Sequence, residues 1–180
     1  MTDKKTFDGF VASQTIQTKE SEIDWDKHRD EWLSKLEEFY ILVENFLHEY
    51  IEKQQIQLVY NSKKIIEEHI GSYDAKTAYI VIGRNKIYLE PIGTNLIAAK
   101  GRVDMNGPSG KVKFVLVDKD ASAPNAFVHI WIEGEEPPSE QPRKDIVEWA
   151  WKIGTPPPRI RYIELTQESF FDALMEVANG

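Results

Sequence analysis

Six side chains in the second half of the chain are of the types that most often recognise a ligand or a protein partner. They are His129, Trp131, Trp149, Trp151, Arg159 and Arg161. Tryptophan and arginine are enriched among the residues that carry most of the affinity of protein interfaces. A histidine between aromatic side chains is suited to proton transfer in a pocket. No complete catalytic motif accompanies them, so we assign no catalytic residue and expect these side chains to bind.

The spacing of these residues indicates which of them share a face. His129 and Trp131 are two positions apart on one predicted strand, and side chains at that spacing point to the same side. Arg159 and Arg161 follow three prolines, which make a stiff, extended link. Aromatic and arginine side chains also fill cores and stack on one another there. The sequence leaves open whether these residues form a site or a core.

The stretch KGRVDMNGPSGK (residues 100–111) combines three glycines with basic side chains, which raises the question of phosphate binding. A P-loop needs a glycine five positions before its Gly-Lys pair and a hydroxyl residue directly after that pair. Met105 and Val112 stand at those two positions here. A dinucleotide-binding motif needs a helix after its glycines, whereas a strand pattern follows. We therefore predict a β-hairpin rather than a phosphate-binding loop.

Alternation of apolar residues on the two sides of this hairpin predicts its register. The predicted pairs are Met105 with Val112, Val103 with Phe114, Gly101 with Leu116 and, on the other face, Asp104 with Lys113. A glycine inside a strand indicates a bulge or a close approach by another backbone, and Gly101 is in this position. Lys100 and Arg102 point outward and form either a solvated surface or a binding patch.

Two segments match metal-binding motifs only in part. HEYIE, which begins at His48, has Glu52 where a zinc-protease helix needs its second histidine. DKDASAPN (118–125) begins like a calcium loop, but Ala123 replaces the required glycine and His129, further along, stands where the bidentate glutamate belongs. We therefore expect neither a metal site nor a cofactor.

Composition and charge limit the class of protein. The 180 residues carry a net charge of −8 and no cysteine, so disulfides are excluded. No apolar run is long enough to span a membrane, and the polar start lacks the apolar core of a signal peptide. Residues 71–134 carry 8 basic and 6 acidic side chains, a weak positive field that argues against nucleic-acid binding. We expect an acidic, cytoplasmic protein without membrane contact.

A long helix is predicted to begin near Asp24, after a polar segment (1–22) that we expect to be flexible. Its apolar positions follow the spacing of one helical face; they are Trp32, Leu36, Phe39, Val43, Phe46 and Tyr50. Residues 39–47 (FYILVENFL) are apolar nearly all round, which indicates cover on more than one side. A continuous helix to Gln54 would measure about 45 Å. This length favours either a break or a contact with a second copy of the chain.

Strand-like segments dominate the remainder of the chain. From Thr77 the period becomes two, and five strands in a meander are predicted, the fifth being AFVHIWIE (126–133). Arg84 and Asn85 are predicted to form the first two-residue turn, which would place Ile82 opposite Ile87 and Ile80 opposite Leu89. Before Thr77 the pattern is ambiguous: IQLVY suggests a short strand, and SKKIIEEHIG a helical turn that ends at Gly71.

The C-terminal part is predicted to add strands and a helix. DIVEWAWKIG is a helical turn or a strand, and alternation of its apolar residues favours the strand. RIRYIEL is strand-like, and Thr166 caps a final helix, QESFFDALMEVA. The predicted fold is α+β: a long N-terminal helix, an antiparallel meander of five to seven strands and a C-terminal helix, with both helices on one face of the sheet. Residues 23–180 form a single domain.

Two functions are compatible with this sequence. The leading hypothesis is a non-enzymatic protein-interaction module that binds a protein partner or itself, as a homodimer through residues 39–47. It depends on the surplus of apolar surface there. The alternative is a small-molecule-binding protein or enzyme with a pocket between the curved sheet and the long helix. His129, Trp131, Trp149, Trp151 and Arg161 would line that pocket. No motif indicates a known family.

Overall fold

The computed structural model describes residues 4, 7–9, 24–94, 99–124 and 147–179. The described residues from 24 onward form two helices and seven strands, whose bounds are α1 Trp25–Glu52, β1 Ile56–Glu67, β2 Gly71–Ile82, β3 Asn85–Gly93, β4 Gly101–Gly107, β5 Gly110–Asp118, β6 Trp149–Gly154, β7 Tyr162–Glu164 and α2 Gln167–Ala178. The strands lie side by side in chain order, every neighbouring pair is antiparallel, and the sheet is open. The predicted α+β architecture is confirmed. The predicted strand AFVHIWIE and most of segment 1–22 lie outside the described residues.

Both helices pack on the same face of the sheet. The ring of Phe114 on β5 contacts Phe39 of α1 at 5.1 Å between centroids and Phe170 of α2 at 6.0 Å. A single side chain points to one side of its strand, so the two helices share that side. Phe46 of α1 also contacts Phe170, which places the helices next to each other.

Helix α1 begins and ends where its caps are satisfied. Asp24 accepts a hydrogen bond from the backbone N–H of Lys27 at 3.0 Å, as an N-cap does. The helix is continuous over 28 residues, which corresponds to about 42 Å. The break that its length favoured is therefore absent, and the chain leaves the helix through Gln54, which has a positive φ of 57°.

The apolar surplus predicted for residues 39–47 is largely covered by the chain itself. Phe39, Tyr40, Val43 and Leu47 are each at most 1% exposed in the core beneath the helix. Ile41 is 51% exposed. Leu42 is half-buried and does not pack against that core. The surface available for a second copy is thus narrower than the sequence pattern indicated.

The helical turn predicted before Gly71 is wrong. Residues 62–67 continue β1, and they pair with β2 from Ser62 opposite Lys76 to Glu67 opposite Gly71. Cross-strand hydrogen bonds and burial of Ile65 outweigh the weak helical preference of a short polar segment, because propensity yields to tertiary context. Gly71 has a φ of +83° and lies at the turn of this long hairpin rather than at a helix end.

The turn between β2 and β3 also differs from the prediction. Ile82 pairs with Asn85, Ile80 with Ile87 and Ala78 with Leu89, so the turn residues are Gly83 and Arg84. Gly83 has a φ of +59°, the conformation that a two-residue hairpin needs at its first turn position. The register shifts by two residues, which leaves every side chain on its predicted face.

The second hairpin has the predicted register, and its turn contacts the C-terminal helix. Met105 pairs with Val112, Val103 with Phe114, Gly101 with Leu116 and Asp104 with Lys113, as expected. The turn lies against the end of α2, where the N–H of Ser109 donates to the carbonyl of Val177 at 2.9 Å. A Cβ on Gly107 would lie 2.3 Å from that carbonyl oxygen. The backbone of this turn therefore donates a hydrogen bond to a helix carbonyl, where a phosphate-binding loop would bind a phosphate.

Gly101 allows a side chain of α1 to lie directly against the backbone of β4. A Cβ at this position would lie 2.2 Å from the indole of Trp32, which is fully buried. The close approach inferred from the sequence is present, and the approaching group is a side chain instead of a backbone.

We expect Gly101→Ala to lower the free energy of unfolding by roughly 1–3 kcal/mol, because the added methyl overlaps a ring that the core holds in place. Gly154→Ala is the matched control, since it is also a strand glycine and its Cβ would have no atom nearer than 3.8 Å. That control is expected to change stability by less than about 0.5 kcal/mol. Urea denaturation measures both, and equal stabilities of the two variants would contradict the packing described.

Candidate functional site

A cleft opens at the end of the sheet where α1 begins, and we call it the rim cleft. Its volume is about 600 Å³. Alanine and valine side chains form part of its wall, and its polar and aromatic lining consists of His28, Thr94, Lys100, Asp118, Trp149 and Tyr162. These residues come from α1, from four strand ends and from the segment after β3. The cleft is thus a product of the fold and of no single motif.

Lys100 is the cation of the rim cleft. Its Nζ lies 2.6 Å from Oε2 of Glu31 on α1 and 5.1 Å from the ring centroid of Trp149. The Lys100 side chain is only 15% exposed. Its hydrogen bond to Glu31 lowers the pKa of that carboxyl group. The Glu31 carboxylate is therefore ionised near neutral pH, and its attraction to Lys100 is lost as the pH falls through the lowered pKa of Glu31.

Trp149 forms the aromatic wall of the cleft. It begins β6, pairs with Asp118 at the end of β5 and packs half-buried against the core. Tyr162 also lines the cleft; it begins β7 opposite Gly154, at the other end of β6, and burial raises the pKa of its phenol. Both aromatic residues are positioned by strand ends, which hold side chains more firmly than loops do.

Thr94 is held at the rim by a carboxylate from the first hairpin. The Glu67 carboxylate accepts hydrogen bonds from the N–H of Thr94 at 3.0 Å and from its hydroxyl at 2.9 Å. The hydroxyl of Tyr73 donates to the same carboxylate. These contacts connect the far end of the β1–β2 hairpin to the end of β3. They fix one wall of the cleft.

Residues 119–124 separate the rim cleft from a second concavity, and a buried lysine anchors them. Lys152 on β6 is 3% exposed, and its ammonium donates to the carbonyls of Lys119 at 2.6 Å and Ala121 at 2.9 Å. It also pairs with Glu164 of β7 at 2.6 Å. The N–H of Tyr162 donates to the carbonyl of Ser122 at 2.9 Å. Sequence reasoning missed Lys152, because a lysine in an alternating strand normally points into solvent.

Arg159 and Arg161 line the second concavity, which has a volume of about 510 Å³. Ser122, Ala123, Pro124, Pro158 and Ile160 complete its lining. Ala123 borders both concavities. Of the residues selected from the sequence, Lys100 and Trp149 lie in the rim cleft and the two arginines lie here.

Trp151 and Arg102 lie away from both concavities. Trp151 is 6% exposed, contacts Phe39 at 4.9 Å between ring centroids and donates its indole N–H to the carbonyl of Lys35 at 2.9 Å. It is a core residue that connects β6 to α1. Arg102 Nε lies 2.8 Å from Oδ1 of Asp104, a carboxylate that is almost fully buried on the face opposite the helices. Arg102, which was predicted to point outward, thus neutralises the charge of the Asp104 carboxylate.

Two further candidates, His129 and Trp131, lie outside the described residues. Within the described part of the chain, no group of three or more histidine, aspartate or glutamate side chains is arranged to hold a metal ion. Among the helices described, none is both long enough and apolar enough to cross a membrane.

The chain was compared with models of protein families, with curated proteins and with solved structures, and none of the three comparisons gives a significant match. A proposal about function therefore depends on the geometry of the two concavities and of the exposed surface.

Proposed function

We propose that this chain is a non-enzymatic binding protein that holds a small organic molecule in the rim cleft. The observation that carries the proposal is the cleft itself, a space of about 600 Å³ with an aromatic wall and a partly buried ammonium group. Most binding sites for small molecules lie between about 300 and 1,000 Å³ and combine apolar walls with a few polar groups.

The lining indicates a ligand with a planar ring and a hydrogen-bond acceptor. The indole of Trp149 offers an apolar surface on which a ring packs. The ammonium of Lys100 has three N–H donors, and the carboxylate of Glu31 accepts from it. The remaining donors are available to a ligand acceptor, and cleft walls of low polarity strengthen such a bond.

The ligand is expected at the end of the helix instead of beneath it. The side chains of α1 that face the sheet are closely packed; Trp32, Leu36, Phe39, Tyr40, Val43 and Leu47 are each at most 1% exposed. Space opens where the helix begins, beside His28. The sequence suggested a pocket between the sheet and the helix; we place it at the rim cleft.

A screen of metabolites by thermal unfolding tests the proposal, because a ligand that binds only the folded state raises Tm. For a compound that does so, we expect Trp149→Ala and Lys100→Met each to weaken binding by roughly tenfold, or about 1.4 kcal/mol. Lys113→Met is the matched control, since it removes an exposed lysine from the same sheet outside the cleft.

A second control separates the ammonium from its ion pair. Glu31→Gln removes the same ion pair as Lys100→Met but keeps the lysine, so it is expected to retain binding. If no compound raises the Tm of the wild-type protein, or if Lys113→Met weakens binding as much as Lys100→Met, the rim cleft is not the site.

The second candidate function is self-association through the outer side of α1. Ile41 is exposed, and neither it nor Leu42 packs against the core. Contact with another molecule would remove this apolar surface from water. The acidic side chains Glu37 and Glu38 flank this apolar surface. Each forms an ion pair within the chain, Glu37 with Lys76 and Glu38 with Lys35.

Light scattering at several concentrations tests self-association. If a dimer forms through this surface, Ile41→Glu should return the mass to that of one chain, because a charge would be buried at the contact. Met175→Glu is the control, since Met175 is equally exposed on α2. A wild-type mass of one chain throughout would exclude the homodimer.

A further inference from the structure

The segment TPPPRIRYI (155–163) has a composition unlike the remainder of this acidic chain. It contains two arginines and no carboxylate. The three prolines fix φ at positions 156–158 and leave the chain few alternative conformations. A loop with these properties loses little entropy when it binds a ligand.

Hydrogen bonds close this segment into a defined loop between β6 and β7. The N–H of Thr155 donates to the carbonyl of Arg161 at 2.9 Å, and the N–H of Arg161 donates to Oγ1 of Thr155 at 2.7 Å. The same hydroxyl donates to the carbonyl of Arg159 at 3.3 Å. Both arginines are thus held at the base of a closed loop, whose backbone geometry is set before any ligand binds.

Among the described residues, no carboxylate forms an ion pair with either guanidinium group of this loop. Within the described part of the chain neither Arg159 nor Arg161 forms an ion pair, whereas Arg29 pairs with Asp26 and Arg102 with Asp104. Both are exposed, and both line the same concavity of about 510 Å³ beside Ser122. Two like charges at one concave surface raise the local positive potential, which an anion lowers.

The geometry of arginine indicates which anion fits. Each guanidinium presents a planar fork of N–H donors, and one fork satisfies both oxygens of a carboxylate. Two forks match a group with three terminal oxygens. A phosphate monoester has these oxygens and a charge of about −1.5 to −2 at pH 7.

We infer that Arg159 and Arg161 form a binding site for a phosphate monoester, with the hydroxyl of Ser122 at its edge. The site lies on the other side of residues 119–124 from the rim cleft, so it goes beyond the proposed function and does not require a ligand there. The phosphoryl group belongs either to a free small molecule or to a phosphorylated side chain of another protein.

Calorimetric titration of the full chain tests the inference with four compounds at about 0.15 M ionic strength, where weak surface attractions are screened. Phenyl phosphate represents a small molecule, and a phosphoserine peptide, with its unphosphorylated form, represents a protein. Benzoate has the same ring and a carboxylate. We expect saturable binding of a phosphorylated probe and at least tenfold weaker binding of benzoate. Which phosphorylated probe binds tighter identifies the source of the group.

Variants locate the site. Arg159→Gln and Arg161→Gln should each weaken binding of the phosphorylated probe by roughly tenfold, since a charge-assisted hydrogen bond contributes about 1.5–3 kcal/mol. Arg84→Gln is the matched control, because Arg84 is an exposed turn arginine and the change in net charge is identical. All three replace exposed side chains, so their Tm values should equal that of the wild type.

Three results would overturn the inference. These are the absence of saturable binding by both phosphorylated probes, equal weakening by Arg84→Gln, and unchanged binding after either Gln substitution in the loop. Trp149→Ala separates this site from the rim cleft. Loss of phosphate binding in that variant would also reject a site independent of the cleft, whereas retained phosphate binding alongside failure of the metabolite screen rejects the rim cleft alone.

Discussion

The packing of one indole ring against the backbone of a strand determines how α1 lies on the sheet. Trp32 occupies the space that a side chain at Gly101 would need, and its ring lies 6.0 Å from that of Trp151. Phe39, two turns further along, contacts both Phe114 and Trp151. These aromatic contacts place the start of the helix across the beginning of β4. Because Glu31 and His28 are on that part of the helix, the rim cleft depends on the same contact.

The elements that sequence reasoning predicted well are those with strong periodicity and clear ends. Alternation around Met105 and Val112 predicted the register of β4 with β5, since a register shifted by one would turn the core-facing side chains of one strand to the opposite face. The cap at Asp24 and the spacing from Trp32 to Leu47 defined α1. Residues 62–67 lack such a clear pattern, and their structure was predicted wrongly. Their local pattern suits a helical turn, and only pairing with a distant strand makes them extended.

The candidate sites were predictable by residue type but not by grouping. Lys100, Trp149, Arg159 and Arg161 were selected for their chemistry, yet the sequence does not show that the first two share a cleft with His28. The sequence also did not reveal that Trp151 is buried. Trp149 and Trp151 are two positions apart on β6, and Trp151 packs in the core whereas Trp149 lies at the rim cleft. Lys152 shows most clearly what the sequence alone does not reveal, since a lysine is buried only when enough hydrogen-bond acceptors surround its ammonium group. Here two of those acceptors are backbone carbonyls from residues 119 and 121.

Among the described strands, β1 lies at one edge of the open sheet and is twelve residues long, which is enough to pair with a foreign strand. Exposed edge strands can pair with other chains, which leads to aggregation and fibril growth. Lys63 and Lys64 interrupt this one near its middle, and both are exposed. An incoming strand would have to desolvate or accommodate two ammonium groups. Charge at this edge therefore disfavours pairing with another strand.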